Sequence, residues 1–143
     1  MTTMPDTILL EVLTPERRIF SAEVDDLQFP TADNGYYGIL PGHTPLITPV
    51  GDGLVTFTRD LEKHWLTVFG GFAEVGPGHV TILARVSETV DMIDVGRAEA
   101  ARQRSLKLLQ EAQTESDLDE AQARLRASLI RLTATGHASG HLH

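Results

Sequence analysis

The chain has 143 residues, a net charge of -8 and a sequence pI near 5.1, so it suits one medium domain or a small domain with an appendage and is a poor partner for a nucleic-acid backbone. It contains no cysteine, which excludes disulfides, thiol nucleophiles and cysteine-type zinc sites. It has no run of about 18 uncharged apolar residues of the kind a membrane-spanning helix needs, and Met1 to Asp6 resemble neither a secretory signal nor an Arg-rich import presequence.

From Thr7 to about Val86 the chain reads as short strands. Ile8, Leu10 and Val12 alternate with Leu9, Glu11 and Leu13, the period of a strand with two unlike faces. Val24–Phe29, Leu54–Thr58, Trp65–Phe69 and Val80–Leu83 are compact runs rich in β-branched and aromatic residues. Turn signals separate them, at Thr14-Pro15, Asn34-Gly35, Pro41-Gly42, Gly51-Asp52-Gly53, Gly70-Gly71 and Gly76-Pro77-Gly78. Many short strands at this spacing predict a β-sandwich or flattened barrel over residues 1–86.

After Asp91 the pattern changes. No proline follows Pro77, and alanine, leucine, glutamate and arginine dominate. Ala98, Ala101, Ser105, Leu108 and Ala112 fall at steps of three and four, and so do Leu118, Ala121, Leu125, Leu129 and Leu132. Each set predicts one apolar or small stripe along a helix. Asp94 is placed to cap the first helix, and Asp117 with Glu120 has the form of a capping box for the second. The polar run Gln113–Asp117 between them predicts a turn, and so an antiparallel two-helix hairpin over residues 87–135. The first stripe is built mostly of small residues, which bury little apolar area, and Gly96 weakens its first turns by about 1 kcal/mol relative to Ala. A loosely held hairpin follows, able to leave its resting place for better contacts. The tail 136–143 lacks a hydrophobic pattern and is expected to be disordered. Its His137, His141 and His143 have no fixed geometry for a metal.

The segment Gly38–Leu46 reads by itself as a tight turn after a strand, with Gly42 supplying an unusual φ and His43 partly buried. A catalytic role for His43 lacks a nucleophile or a carboxylate at motif spacing. His43, His64 and His79 sit in unrelated turns and strands, with no short-spaced ligand pair.

Several stretches, in this order, nonetheless carry a resemblance. Thr14-Pro15-Glu16, Phe20-Ser21 and Gly38–Leu46 come first. Phe69-Gly70-Gly71-Phe72-Ala73-Glu74-Val75, Val80–Ala84 and Ile93–Ala98 follow. Together, at these distances, they resemble the epsilon subunit family of bacterial- and chloroplast-type F1 ATP synthases over roughly residues 7–134. The resemblance implies an α+β chain: a ten-stranded β-sandwich of two five-stranded sheets, then the helical hairpin. It implies a non-catalytic central-stalk rotor subunit that couples proton translocation to ATP synthesis and restrains ATP hydrolysis through its C-terminal helices. The implied partners are the gamma subunit, the c-ring and, when the hairpin is extended, the alpha and beta subunits. The implied location is peripheral, on the cytoplasmic face of a bacterial inner membrane. No nucleic acid, metal or obligatory cofactor is expected.

Residue by residue, the resemblance puts c-ring contact on Thr31, Ala32, Asp33, Asn34, Gly35 and Tyr36, and near His43. The family commonly has an acidic residue where this chain has Tyr36. The stretch Ile93-Asp94-x-x-Arg97-Ala98 resembles the family's regulatory ATP-binding motif, with Glu88, Arg104 and Arg131 as further contacts. ATP is then a regulatory ligand. A further arginine of that motif aligns with Ala127, and Arg126 lies one step away, about 100° around a helix. The bland alternative is that Asp94 caps its helix and the arginines form a solvated face. The cationic set Arg97, Arg102, Arg104, Lys107, Arg124, Arg126 and Arg131 also suits acidic segments of catalytic subunits. The alternative function is a stand-alone nucleotide-sensing or protein-binding module.

Overall fold

The computed structural model describes residues 6–138. The chain divides into two compact units between Thr89 and Val90. The first contains strands β1 (Ile8–Leu13), β2 (Arg18–Val24), β3 (Asp26–Pro30), β4 (Tyr36–Ile39), β5 (Leu46–Pro49), β6 (Asp52–Arg59), β7 (Glu62–Val75) and β8 (His79–Thr89). The second contains a 3-10 turn at Val90–Met92, then helices α1 (Val95–Glu111) and α2 (Glu115–Ala138).

Hydrogen bonding runs through β2-β1-β8-β7-β6-β3-β4, with β5 added on β7. Two long strands serve both layers of the sandwich. The later half of β7 pairs with β5 and with the earlier half of β8, which pairs in parallel with β1. The earlier half of β7 pairs with β6 and with the later half of β8, and β6 leads on to β3 and β4. The expected ten strands are thus eight, together with an isolated bridge between Thr31 and Val50. Counted by halves of β7 and β8, the two five-stranded layers are present. The bend in β7 falls at Gly70 and Gly71, whose φ values are 69° and 116°. Only glycine adopts the second of these readily, and a Cβ on Gly71 would overlap the Leu83 carbonyl.

The core lies between the layers. Ile8, Leu10 and Val12 of β1, Val80 and Ile82 of β8, and Val55 and Val68 of β6 and β7 are all 0% exposed, as is Phe29 of β3. These are the inward residues of alternating strands, as the period-2 pattern requires. Thr67 is buried too, and its hydroxyl is satisfied. It accepts from the Glu88 amide at 3.0 Å and donates to Glu88 Oε1 at 3.0 Å. This pairing extends β8 through Ser87, Glu88 and Thr89, so the strand unit runs past the expected boundary at 86.

In the hairpin, Asp94 caps α1, its Oδ1 accepting from the Arg97 amide at 3.1 Å. The cap of α2 differs from expectation. Thr114 Oγ1 accepts from the Asp117 amide at 3.0 Å, so the helix begins at Glu115 and Asp117 stands at its third residue. Thr114 competes better because its hydroxyl lies before the first acidic turn, where the free amides point. α2 also continues through residues 136–138, formerly expected as tail; residues 139–143, with His141 and His143, lie outside the described residues.

The buried side chains of the two helices are Ala98, Ser105, Ala121, Ser128 and Ala134. Leu108, Leu118 and Leu129, expected on the stripes, are 41%, 38% and 44% exposed. The fully buried positions are thus small residues, and these leucines keep partial contact with solvent.

Candidate partner-binding and ligand sites

Three places combine predicted residues with a defined surface. The loop between β3 and β4 is held by its own polar groups. Thr31 Oγ1 donates to Asp33 Oδ1 and accepts from the Gly35 amide at 2.9 Å, and the Thr31 amide donates to the Gly35 carbonyl at 2.9 Å. The hydroxyl of Thr31 holds the exposed Asp33 carboxyl below the usual carboxylate range. Asn34 takes the left-handed conformation, φ 70°, which Asn tolerates better than most residues. The result is a stiff loop carrying one anionic group and Tyr36, 55% exposed. A groove of about 540 Å³ runs beside it, lined by Thr31, Ala32, Asp33, Gly35, Tyr36, Tyr37, Thr48 and Pro49.

His43 belongs to a different end of the strand unit. The Gly42 amide donates to the Pro77 carbonyl at 2.6 Å, which ties this turn to the β7–β8 turn. His43 Nδ1 donates to the Thr44 carbonyl at 2.6 Å. The whole of β4 separates His43 from Tyr36, a span of roughly 13 Å at about 3.3 Å per residue. The structure therefore does not bring His43 together with the loop 31–36.

The outer face of one layer carries an exposed apolar row. Leu13, Leu83, Phe72 and Pro49 are successive cross-strand partners on β1, β8, β7 and β5. Phe72 and Leu83 are 57% and 56% exposed, and Ile47 nearby on β5 is 72% exposed. Contiguous exposed apolar surface of this sort marks a contact for another macromolecule. The sequence carried a signal for it: Leu13, Phe72 and Leu83 are apolar at the outward positions of their strands.

The predicted nucleotide residues divide. Glu88 lies on β8 in the strand unit, held by Thr67. Ile93 and Asp94 precede α1, and Asp94 is occupied as its cap. Arg97 is exposed on the first turn, and Ala98 is buried. Arg104 and Arg131 meet in a cleft of about 260 Å³ between α1 and α2, lined also by Ala101, Ser105, Leu108, Arg124, Ala127 and Ser128. Arg126 does not line it. Arg124, absent from the predicted ligand set, does. The spacing 124, 127, 128, 131 puts these residues on one helical face, a signal present in the sequence. Arg102 instead pairs with Glu99 at 2.6 Å, and Glu99 is held below its usual range first by that arginine and then by Gln103. Among the described residues, no group of three His, Cys, Asp or Glu side chains is arranged to hold a metal ion, and no helix is long and apolar enough to cross a membrane.

The chain thus has a strand unit with an exposed apolar row and a separate two-helix hairpin, and its described residues include no group of three His, Cys, Asp or Glu side chains arranged to hold a metal ion. Two family profiles cover nearly the whole chain: the ATP synthase, Delta/Epsilon chain, beta-sandwich domain over residues 7–90 and the long alpha-helix domain of the same family over residues 91–136. ATP synthase epsilon chains of Bacillus subtilis and Moorella thermoacetica are 38% and 42% identical, over 91% and 89% of this chain and 98% and 95% of theirs. That of Solibacter usitatus is 47% identical over 71% of this chain and 75% of its own. A chain of the Euglena gracilis mitochondrial ATP synthase OSCP/F1/c-ring structure shares the fold, with a TM-score of 0.77 at 20% identity over 98% of this chain and 85% of that one.

The chain belongs to the ATP synthase delta/epsilon chain family, as an epsilon-type, non-catalytic subunit of the F-type ATP synthase's central stalk. As such it is part of a peripheral, membrane-associated complex. The reading as a stand-alone sensing module is not favoured.

Proposed function

We propose that the strand unit joins the gamma subunit to the c-ring, so that torque from proton flow reaches the catalytic head, and that the hairpin restrains ATP hydrolysis by moving between a compact and an extended state. The observation that carries this is the contrast in packing. The strand unit is closed around large apolar side chains, whereas the helices bury only Ala and Ser fully. A transmission element needs the first kind of packing, and an element that exchanges partners needs the second.

The stiff loop 31–36 suits contact with the polar loops of a c-ring. Its Tyr36 supplies an amphipathic ring where an acidic residue is common, so contact there relies on shape and hydrogen bonding, with Asp33 as the remaining charge. The apolar row from Leu13 to Pro49 suits the larger, less polar surface of gamma. The arginines of the hairpin suit acidic segments of the alpha and beta subunits when the hairpin is extended. In a bacterial cell this assembly sits on the cytoplasmic face of the inner membrane. ATP is proposed as a regulatory ligand of the hairpin. The support is the arginine-lined cleft, with Arg97 at the start of the same helix.

The test is deletion of everything after Thr89, where the strand unit ends, in the assembled synthase. ATP hydrolysis by the complex is expected to rise several-fold while proton-driven synthesis persists. Unchanged hydrolysis would remove the restraining role. Loss of synthesis would mean that the strand unit alone does not couple.

A further inference from the structure

We propose that the free edge of β4 is a docking strip for an extended peptide segment of a neighbouring stalk protein, which adds a strand to the sheet and sets a basic side chain beside Asp33. This goes beyond the coupling and restraint proposed above, since it concerns how a partner is held and not what the contact transmits.

The backbone comes first. Among the described residues β4 pairs with β3 alone and ends the strand order. The Thr31 amide donates to the Gly35 carbonyl, and in an antiparallel pair the hydrogen-bonded positions recur at every second residue. The ladder bonds therefore fall on Tyr37 and Ile39, the partners of Phe29 and Leu27. The amides and carbonyls of Tyr36 and Gly38 point the other way, out of the edge. Sheet edges are ordinarily protected from pairing by charge or proline. Here β2 carries Arg18 and Glu23, β5 runs from just after Pro45 to Pro49, and the later half of β8 carries Arg85 and Glu88. β4 reads Tyr-Tyr-Gly-Ile, with Leu40 next, and has neither safeguard. A Cβ on Gly38 would meet nothing within 4 Å, so the strand is open at the position where another backbone would approach.

The grooves come second. An added strand lies about 4.8 Å from β4 and alternates its side chains between the two faces of the sheet. One groove, of about 540 Å³, has Tyr37 of β4 and Thr48 and Pro49 of β5 in its lining. The other, of about 360 Å³, is lined by Gln28, Gly38, Leu40 and Thr56. Main-chain bonds to Tyr36 and Gly38 then supply affinity, and the two grooves read alternate side chains. Charge selects the occupant. Asp33 is the one charged side chain lining the first groove, while Asp26 and Lys63 in the second offset each other. The segment therefore carries Lys or Arg on the first face and an uncharged polar side chain on the second.

The experiment follows amide exchange residue by residue, in the isolated full chain and in the assembled synthase. Tyr37 and Ile39 are expected to be protected in both. Tyr36 and Gly38 should exchange fast in the isolated chain and at least about tenfold more slowly in the assembly. Gly38→Pro deletes one edge amide and no ladder bond. It should weaken rebinding to synthase stripped of this subunit by about fivefold, and Gly38→Ala, which keeps the amide, by less than about twofold. Asp33→Asn should make rebinding less sensitive to salt. Exchange at Tyr36 and Gly38 that is as fast in the assembly as in the isolated chain overturns the proposal. So does equal weakening by the proline and alanine variants, the mark of general cover and not of a strand. Protection that appears in the isolated chain as its concentration rises makes a second copy the occupant and overturns the proposed partner. An unchanged salt dependence in Asp33→Asn overturns the basic side chain. The exchange comparison uses wild type, so it decides the matter even if Gly38→Pro misfolds. Coupling and restraint are read from rates of synthesis and hydrolysis, so either proposal can fail while the other stands.

Discussion

The strand unit and the hairpin differ in what they bury. In the first, Phe29, Ile8, Leu10, Ile39, Leu66 and Ile82 are almost free of solvent, and each contributes about 1.5–3 kcal/mol or more by burial. In the second, the fully buried side chains are Ala98, Ser105, Ala121, Ser128 and Ala134, and the larger leucines keep substantial contact with water. Such small side chains contribute little transfer energy against opening of the seam. One molecule thus combines a part closed around large apolar side chains with a part whose fully buried side chains are small. The restraining role proposed above thus falls on the unit with the poorer burial.

Breaking the strand unit should have the largest effect. Phe29→Ala removes a fully buried ring that packs beside Tyr37 at 5.7 Å, and is expected to lower stability by about 3–5 kcal/mol. Denaturant unfolding reads this directly. A loss under 1 kcal/mol would mean that the sandwich is not the closed core described. In the hairpin, Ser105→Leu inserts bulk at a buried position of the seam and should cost about 1–3 kcal/mol. Its signature is faster amide exchange in α1 and α2, with the strand unit unchanged. Equal loosening of both units would erase the contrast between them.

A smaller effect is expected at the helix starts. Asp94→Ala leaves the first-turn amides of α1 without their cap and should cost about 1 kcal/mol. The loss should be local, seen as faster exchange at Arg97 and its neighbours. The smallest effect is with pH. Glu99 has a folded-state pKa below its ordinary value because of Arg102, so its contribution is present above the unfolded value and is lost as pH falls through the lowered one. Helix content of α1 should therefore decline slightly on acidification across that range, and Glu99→Gln should abolish the decline. A variant that titrates like wild type would show that another group is responsible.

Much of the architecture was legible from local pattern. A change of period from two to three-and-four is a property of neighbouring residues, so it marked the division between strands and helices without any coordinates. Asp94 as a cap was legible for the same reason, since its partner is the amide of Arg97, three residues on. The α2 cap was misassigned because both Thr114 and Asp117 have suitable side chains, and only the path of the chain selects between them. Ten strands were expected, whereas the bends at Gly70-Gly71 and beyond Ala84 let β7 and β8 each serve twice.

The order of elements, the two periods, the helix stripes and the outward apolar positions came from sequence alone, because they depend on spacing along the chain. Which stripe residues are buried, which arginine enters the cleft, and the separation of His43 from the loop 31–36 were decided by tertiary structure. Those depend on how closely two helices approach and on which strands lie side by side, and such distances are set by partners remote in sequence.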